Sequence, residues 1–176
     1  PAPSWVSYGP QAHILAKDTF SIATERKDSY RLQVEALAQL CGTLGKGQKI
    51  LILNNPCNPT GAVYPDQELQ ALAKVCREEE VIVISDEIYS LIDFRKEKFS
   101  SIGRYLPEST VVTGGMSKAF SAGGWRLGLA FVPDAMSDMI KPWNALISET
   151  FSCVNAPVQY AALEAFSKFE ALRPQI

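Results

Sequence analysis

A single lysine, Lys118, stands among very small residues in "TGGMSKAFSAGGWRLG", Thr113 to Gly128, directly after the apolar run Thr110-Val111-Val112. A solvated surface lysine requires no such company. Buried at a strand end, its ammonium would be desolvated and its amine made available for chemistry. The plain alternative is a solvated lysine in a tight turn. Arg126, in the same stretch, carries a rigid fork of donors suited to a phosphate or a carboxylate. Ser117 serves equally well as an N-cap or as a phosphate contact.

Two other strand ends carry polar groups. "VIVI", Val81 to Ile84, is followed by "SDEIYS". Asp86 is costly there unless it meets a cation or several donors, or simply caps the next helix. Tyr89 follows about one helical turn later, so both side chains can face one cleft. "KILIL", Lys49 to Leu53, is followed by "NNPCNPTG", Asn54 to Gly61. Proline and glycine account for a turn, but the asparagines exceed what a turn requires and add donors and acceptors. Asn58, in the second Asn-Pro step, is the candidate among them.

Something must bring these three ends together. The runs Phe20 to Thr24, Lys49 to Leu53, Val81 to Ile84, Thr110 to Thr113 and Leu127 to Val132 are short, apolar and bounded by turn-forming residues, which predicts strands. They lack polar alternation, which predicts coverage on both faces, as in a parallel sheet. Amphipathic segments at 30–44, 66–80 and 157–169 lie between or after them. Strand and helix in alternation predict an α/β fold with a mostly parallel sheet, whose ligands collect beyond the carboxyl ends of the strands. That is where all the candidate groups sit.

Composition narrows the function classes. With 176 residues, 47% of them hydrophobic, the chain is long enough for one domain with a real core. A formal net charge of −2, without a basic stripe, argues against nucleic acid as a partner. The apolar runs are too short to span a bilayer, and no signal peptide is visible. Cys41, Cys57, Cys76 and Cys153 show no CxxC spacing and His13 is the sole histidine, which argues against a zinc site. Isolated thiols point to a reducing, cytoplasmic setting. A start without methionine and a stop just after a helical pattern read as a piece of a longer chain.

One ligand unites Asn58, Asp86, Tyr89, Lys118 and Arg126: pyridoxal phosphate. Its aldehyde needs a lysine for a Schiff base, and its phosphate suits an arginine. Its pyridine nitrogen needs a carboxylate to stay protonated, and its phenolic oxygen needs donors such as Tyr89 and Asn58. Trp5, in "PAPSWVSY", is a candidate to stack on the ring.

With "NPCNPTG", "SDEIY" and "GMSKAFSAGGWRLG" in that order and spacing, the sequence resembles the fold-type I, class I/II aminotransferases, and their aspartate-aminotransferase-like branch in particular, from Pro3 to about Phe166. The resemblance implies a three-layer α/β sandwich, with 1–176 forming part of the cofactor-binding large domain. An N-terminal segment and a C-terminal small domain are expected to be absent. It implies Lys118 as the Schiff-base lysine and proton carrier, and Asp86 on the pyridinium nitrogen. Tyr89 and Asn58 would bind the phenolic oxygen, Arg126 the phosphate with Ser117 as helper, and Trp5 the ring face. Many relatives place a phosphate-binding serine or threonine where this chain has Gly115. Amino-acid and 2-oxo-acid substrates follow, as does a homodimeric parent. A lyase or synthase on the same scaffold and a cofactor-sensing regulatory domain are the alternatives. A dinucleotide oxidoreductase is disfavoured because no GxGxxG follows a strand.

Two further expectations attach to the shortened chain. Without a phosphate-cradling Gly-rich turn and a carboxylate-binding arginine, it should show little transamination and weak or absent cofactor binding. Without the family's strand upstream of Trp5, the region before about residue 45 should be displaced, paired differently or covered by another chain.

Overall fold

The computed structural model describes residues 1–95 and 97–175. A four-stranded sheet organises it: β1 Lys49–Asn54, β2 Val81–Asp86, β3 Thr110–Gly115 and β4 Gly128–Phe131, adjacent in that order. β1–β2 and β2–β3 are parallel, while β3–β4 is antiparallel, so the sheet is mostly parallel as the sequence predicts. The helices are α1 Tyr8–Ile14, α2 Val34–Thr43, α3 Asp66–Glu78, α4 Ile140–Thr150, α5 Ala156–Ser167 and α6 Phe169–Leu172. Periodicity anticipated α2, α3 and α5, and missed α1 and α4.

α3 shows why a sequence of this kind folds locally. Pro65 precedes its first turn, Asp66 and Glu68 lie in that turn, and Arg77 lies in the last, each matching the helix dipole. Its Leu69, Leu72, Ala73 and Cys76 pack against Leu51, Leu53, Val81 and Val83 of the sheet. Leu37 and Cys41 of α2 complete the same cluster. Burying each of the large side chains contributes roughly 1.5–3 kcal/mol before entropy is counted. Lys49 Nζ, at the start of β1, donates to the Glu79 carbonyl just beyond α3 at 3.2 Å and so ties the crossover to the sheet. A second, smaller core joins Met116, Ala122 and Leu127 to Ala162 of α5. Phe120 meets Phe166 edge-on there, with centroids 5.0 Å apart.

Two expectations are corrected. Coverage of the sheet is unequal: one face of β2 is buried and the other half-buried, and Ile50 and Phe131 are exposed. Its apolar run is therefore not evidence of two covered faces in this chain. Residues 20–24 do not form a strand of the sheet. They make one isolated parallel bridge, Ala2 with Ala23, in which Ala2 donates to Ile22 and Thr24 donates to Ala2, both at 2.8 Å. Among the described residues β1 has a strand partner on one side only, so the region before residue 45 is paired outside the sheet. A β-branched run predicts extended backbone, but it joins a sheet only where a neighbouring strand offers donors and acceptors.

Candidate active site

The parallel register sets Asn54 beside Asp86, so the loops after β1 and β2 emerge side by side. The Asp86 carbonyl accepts from Asn54 Nδ2 at 2.9 Å and from the Asn55 amide at 3.0 Å. Asn54 Oδ1 accepts from the Asn58 amide at 2.6 Å. Asn55 is 1% exposed; its Nδ2 donates to the Ser100 carbonyl at 3.3 Å and its Oδ1 accepts from the Tyr64 amide at 3.2 Å. Two of the three asparagines thus cross-link the loops. Asn58 differs, because its Nδ2 faces Tyr89 Oη at 3.5 Å.

Asp86 has two engagements. Its Oδ1 accepts from the Ile88 amide at 3.3 Å, a local turn contact, and its Oδ2 accepts from the Tyr8 hydroxyl at 2.5 Å. Burial, reinforced by the hydrogen bond to Asp86, pushes the Tyr8 phenol above its ordinary range, so Tyr8 stays a neutral donor. Trp5 meets Tyr8 edge-on at 5.3 Å between centroids, with the rings at 83°. Trp5 is therefore linked to Asp86 through Tyr8.

The lysine loop leaves β3 at Gly115. Lys118 is exposed and its Nζ lies 5.5 Å from the Tyr89 ring centroid. Of the two settings the sequence leaves open for this lysine, a buried strand end and a solvated turn, the structure shows the solvated one. The ring face supplies a cation–π contact of about 0.5–1 kcal/mol at an exposed position. Arg126 is also exposed, in the left-handed region at φ 56°, and its NH1 donates to the Gly123 carbonyl at 2.6 Å. A non-glycine residue there costs of order 1–3 kcal/mol and persists where surroundings or function impose it. Ser117 is half-buried in the same loop.

Asn58, Tyr89 and Lys118 thus form one line of contacts, and Trp5, Tyr8 and Asp86 another. The two lines meet on the loop that carries Asp86 and Tyr89. Arg126 and Ser117 belong to the lysine loop, without a side-chain hydrogen bond to either line among the described residues. Asn58 and Tyr89 also line a cleft of about 570 Å³, together with Cys57, Ile92 and Arg95.

Sequence reasoning missed two residues. Tyr8 follows Trp5 at a spacing that lets both aromatics share one face, a signal present in "PAPSWVSY" but not used. Glu87 adjoins Asp86 on the opposite face of the strand end and is buried.

Comparison with known proteins adds an independent line. The family description "Aminotransferase class I and II" matches residues 1–175. The chain is 33% identical over 170 residues to an aspartate aminotransferase of Bacillus subtilis, covering 95% of this chain and 42% of that protein. It is 34% identical over 172 residues to an aspartate/prephenate aminotransferase of Thermus thermophilus, covering 98% of this chain and 43% of that protein. The solved Thermus thermophilus aspartate aminotransferase with maleate superposes with a TM-score of 0.88 at 34% identity, over 98% of this chain and 44% of that one. The Pyrococcus horikoshii aromatic aminotransferase gives 0.82 at 31% identity, over 99% and 47%. The chain spans less than half the length of these relatives, and the match runs through all three strand-end motifs. It belongs to the class I and II aminotransferase family.

Proposed function

We propose that this chain carries the cofactor-binding part of a pyridoxal-phosphate-dependent aminotransferase. The protein moves an amino group between an amino acid, with aspartate the first candidate, and a 2-oxo acid. It acts as a cytoplasmic homodimer. The observation that carries this reading is the convergence of Lys118 Nζ and the Asn58 side-chain amide, from two other strand ends, on Tyr89, three residues after Asp86. The free state of all four cysteines and the absence, among the described residues, of a helix able to cross a membrane agree with that setting.

The residues fit the group by the chemistry of their atoms. Lys118 offers a primary amine. Both Asp86 oxygens keep acceptor capacity, since a carboxylate oxygen has more than one lone pair and each has one partner here. Among the described residues Arg126 engages NH1 alone, which leaves donors for a phosphate. When bound, the cofactor supplies an electron sink that stabilises negative charge on the amino acid's α-carbon. Asp86, its carboxylate fixed by Tyr8, would hold a proton on the ring nitrogen. Tyr89 and Asn58 would orient the ring through its phenolic oxygen, and Trp5 would support its face. Arg126, helped by Ser117, would anchor the phosphate. Lys118 Nζ would hold the cofactor covalently and, once displaced by the substrate's amino group, would take and return the proton at the α-carbon.

The test is a panel of amino donors and 2-oxo acids given to the protein that carries this chain, loaded with pyridoxal phosphate. Amino-group transfer that depends on both partners supports the proposal. Turnover of the amino acid with no 2-oxo acceptor required would assign a lyase instead.

A further inference from the structure

Glu87 is a buried acid that the proposed chemistry does not use. It is 9% exposed, immediately after β2, and its Oε1 accepts from Ser85 Oγ at 2.8 Å and from Ser101 Oγ at 2.5 Å. Ser101 in turn takes the Gly103 amide on its Oγ at 3.0 Å, so this hydroxyl has its proton committed to Glu87. The Glu87 amide donates to the Thr113 carbonyl at 2.9 Å and extends the β2–β3 ladder by one step. Burial pushes the carboxyl above its ordinary range, against the pull of the two hydroxyls. An apolar side chain would occupy such a place at less cost, so the acid calls for an explanation in terms of what it holds.

Strand geometry supplies one. Successive side chains point to opposite faces, so Ser85 and Glu87 share the interior side and Asp86 stands on the other. The peptide unit between Asp86 and Glu87 is fixed by the Asn54 and Asn55 donors on the β1 side and by Thr113 on the β3 side. What these bonds leave open is the path of the chain just beyond that peptide, and Glu87 pins it to Ser101. We infer that Glu87 is the positioning residue for Asp86: its carboxyl, clamped by Ser85 and Ser101 inside the fold, holds the strand end so that the Asp86 carboxylate faces Tyr8 and the cofactor side. The inference rests on the proposed role of Asp86, but the geometry it asserts exists without cofactor.

The test uses the cofactor-free chain first. The Tyr8 hydroxyl, bonded to Asp86 Oδ2, makes the Tyr8 ring a local NMR reporter of where that carboxylate sits. In Glu87→Ala and Ser101→Ala, the Tyr8 ring resonances should move. In Glu87→Gln, whose amide oxygen can still accept both serine hydroxyls, they should stay close to the wild-type positions. Leu72→Ala, which weakens the larger core without touching the turn, should leave them in place. Pyridoxal phosphate, titrated by absorbance, should bind about tenfold more weakly to Ser101→Ala than to Glu87→Gln. If Glu87→Ala does not fold, Ser101→Ala carries the test alone. Unmoved Tyr8 resonances in Ser101→Ala, or resonances moved as much by Leu72→Ala or by Glu87→Gln, overturn the inference. Failure of the wild type to bind pyridoxal phosphate would instead count against the proposed function, with the Tyr8 readout still deciding the role of Glu87.

Discussion

Gly115 ends β3 opposite Gly128, at the position where the family resemblance leads one to look for a phosphate-binding hydroxyl. A Cβ built there would lie 2.7 Å from the Leu127 carbonyl oxygen and 3.2 Å from the Gly128 Cα. Both are backbone atoms of the antiparallel partner, so neither can swing aside as a side chain would. Overpacking of this kind costs about 1–3 kcal/mol. The same Leu127 carbonyl accepts from the Met116 amide at 3.3 Å, and losing that bond adds about 0.5–1.5 kcal/mol. Gly115→Ala should therefore cost about 1.5–4.5 kcal/mol. At about 2–4 °C per kcal/mol for a chain of this length, the thermal midpoint falls by roughly 3–18 °C. Gly114 is the internal control, because a Cβ there meets nothing within 4 Å. Melting of both variants, followed by circular dichroism, decides the matter. If Gly115→Ala melts with Gly114→Ala, the close approach of β4 is not what keeps residue 115 a glycine. If it does not, a serine at 115 is barred by the same Cβ, and the missing hydroxyl reflects packing in this chain.

Two further predictions separate structure from chemistry at the strand ends. Asn55→Ala should lower stability by about 2–4 kcal/mol in urea denaturation, because it removes two side-chain bonds and strands buried partners. Asn58→Ala should change stability by less than about 0.5 kcal/mol yet weaken pyridoxal phosphate binding, read by absorbance titration. For Glu87, whose folded carboxyl titrates above the ordinary 4.5, the fold holds the proton more tightly than the unfolded chain does. Its contribution is most favourable below that ordinary value and declines as pH rises through the folded one. The urea midpoint of wild type relative to Glu87→Gln should therefore fall as pH rises across that window. Asp93 and Glu108, held low by Arg95 and Arg77, lose stability in the opposite direction as pH falls and cancel in the comparison.

Local rules made β1, β2 and β3 legible, because short β-branched runs ending in Asn, Asp and Gly have few other fates. The same rules failed at residues 20–24, where the missing ingredient is a neighbouring strand, which no local pattern encodes. Apolar continuity in "VIVI" overstated coverage of the sheet, since it reports what the backbone tolerates rather than what lies on each face. Lys118, Asp86, Tyr89 and Asn58 stood out because costly residues at strand ends need a reason. Tyr8 did not, since its partner Asp86 is far away in sequence. Glu87 hid behind its neighbour, although strand alternation places the two acids on opposite faces. The asparagines were read as a group, while the structure divides them: Asn54 and Asn55 bind the loops together and Asn58 faces Tyr89.

The central claim is that Lys118 is the lysine that bonds covalently to pyridoxal phosphate. The most direct measurement adds the cofactor to the protein that carries this chain, reduces with borohydride, digests, and locates the modified residue by mass spectrometry. The account predicts a reduced adduct on Lys118 that disappears in Lys118→Ala. Bound cofactor with its adduct on another lysine, or on none, would contradict it.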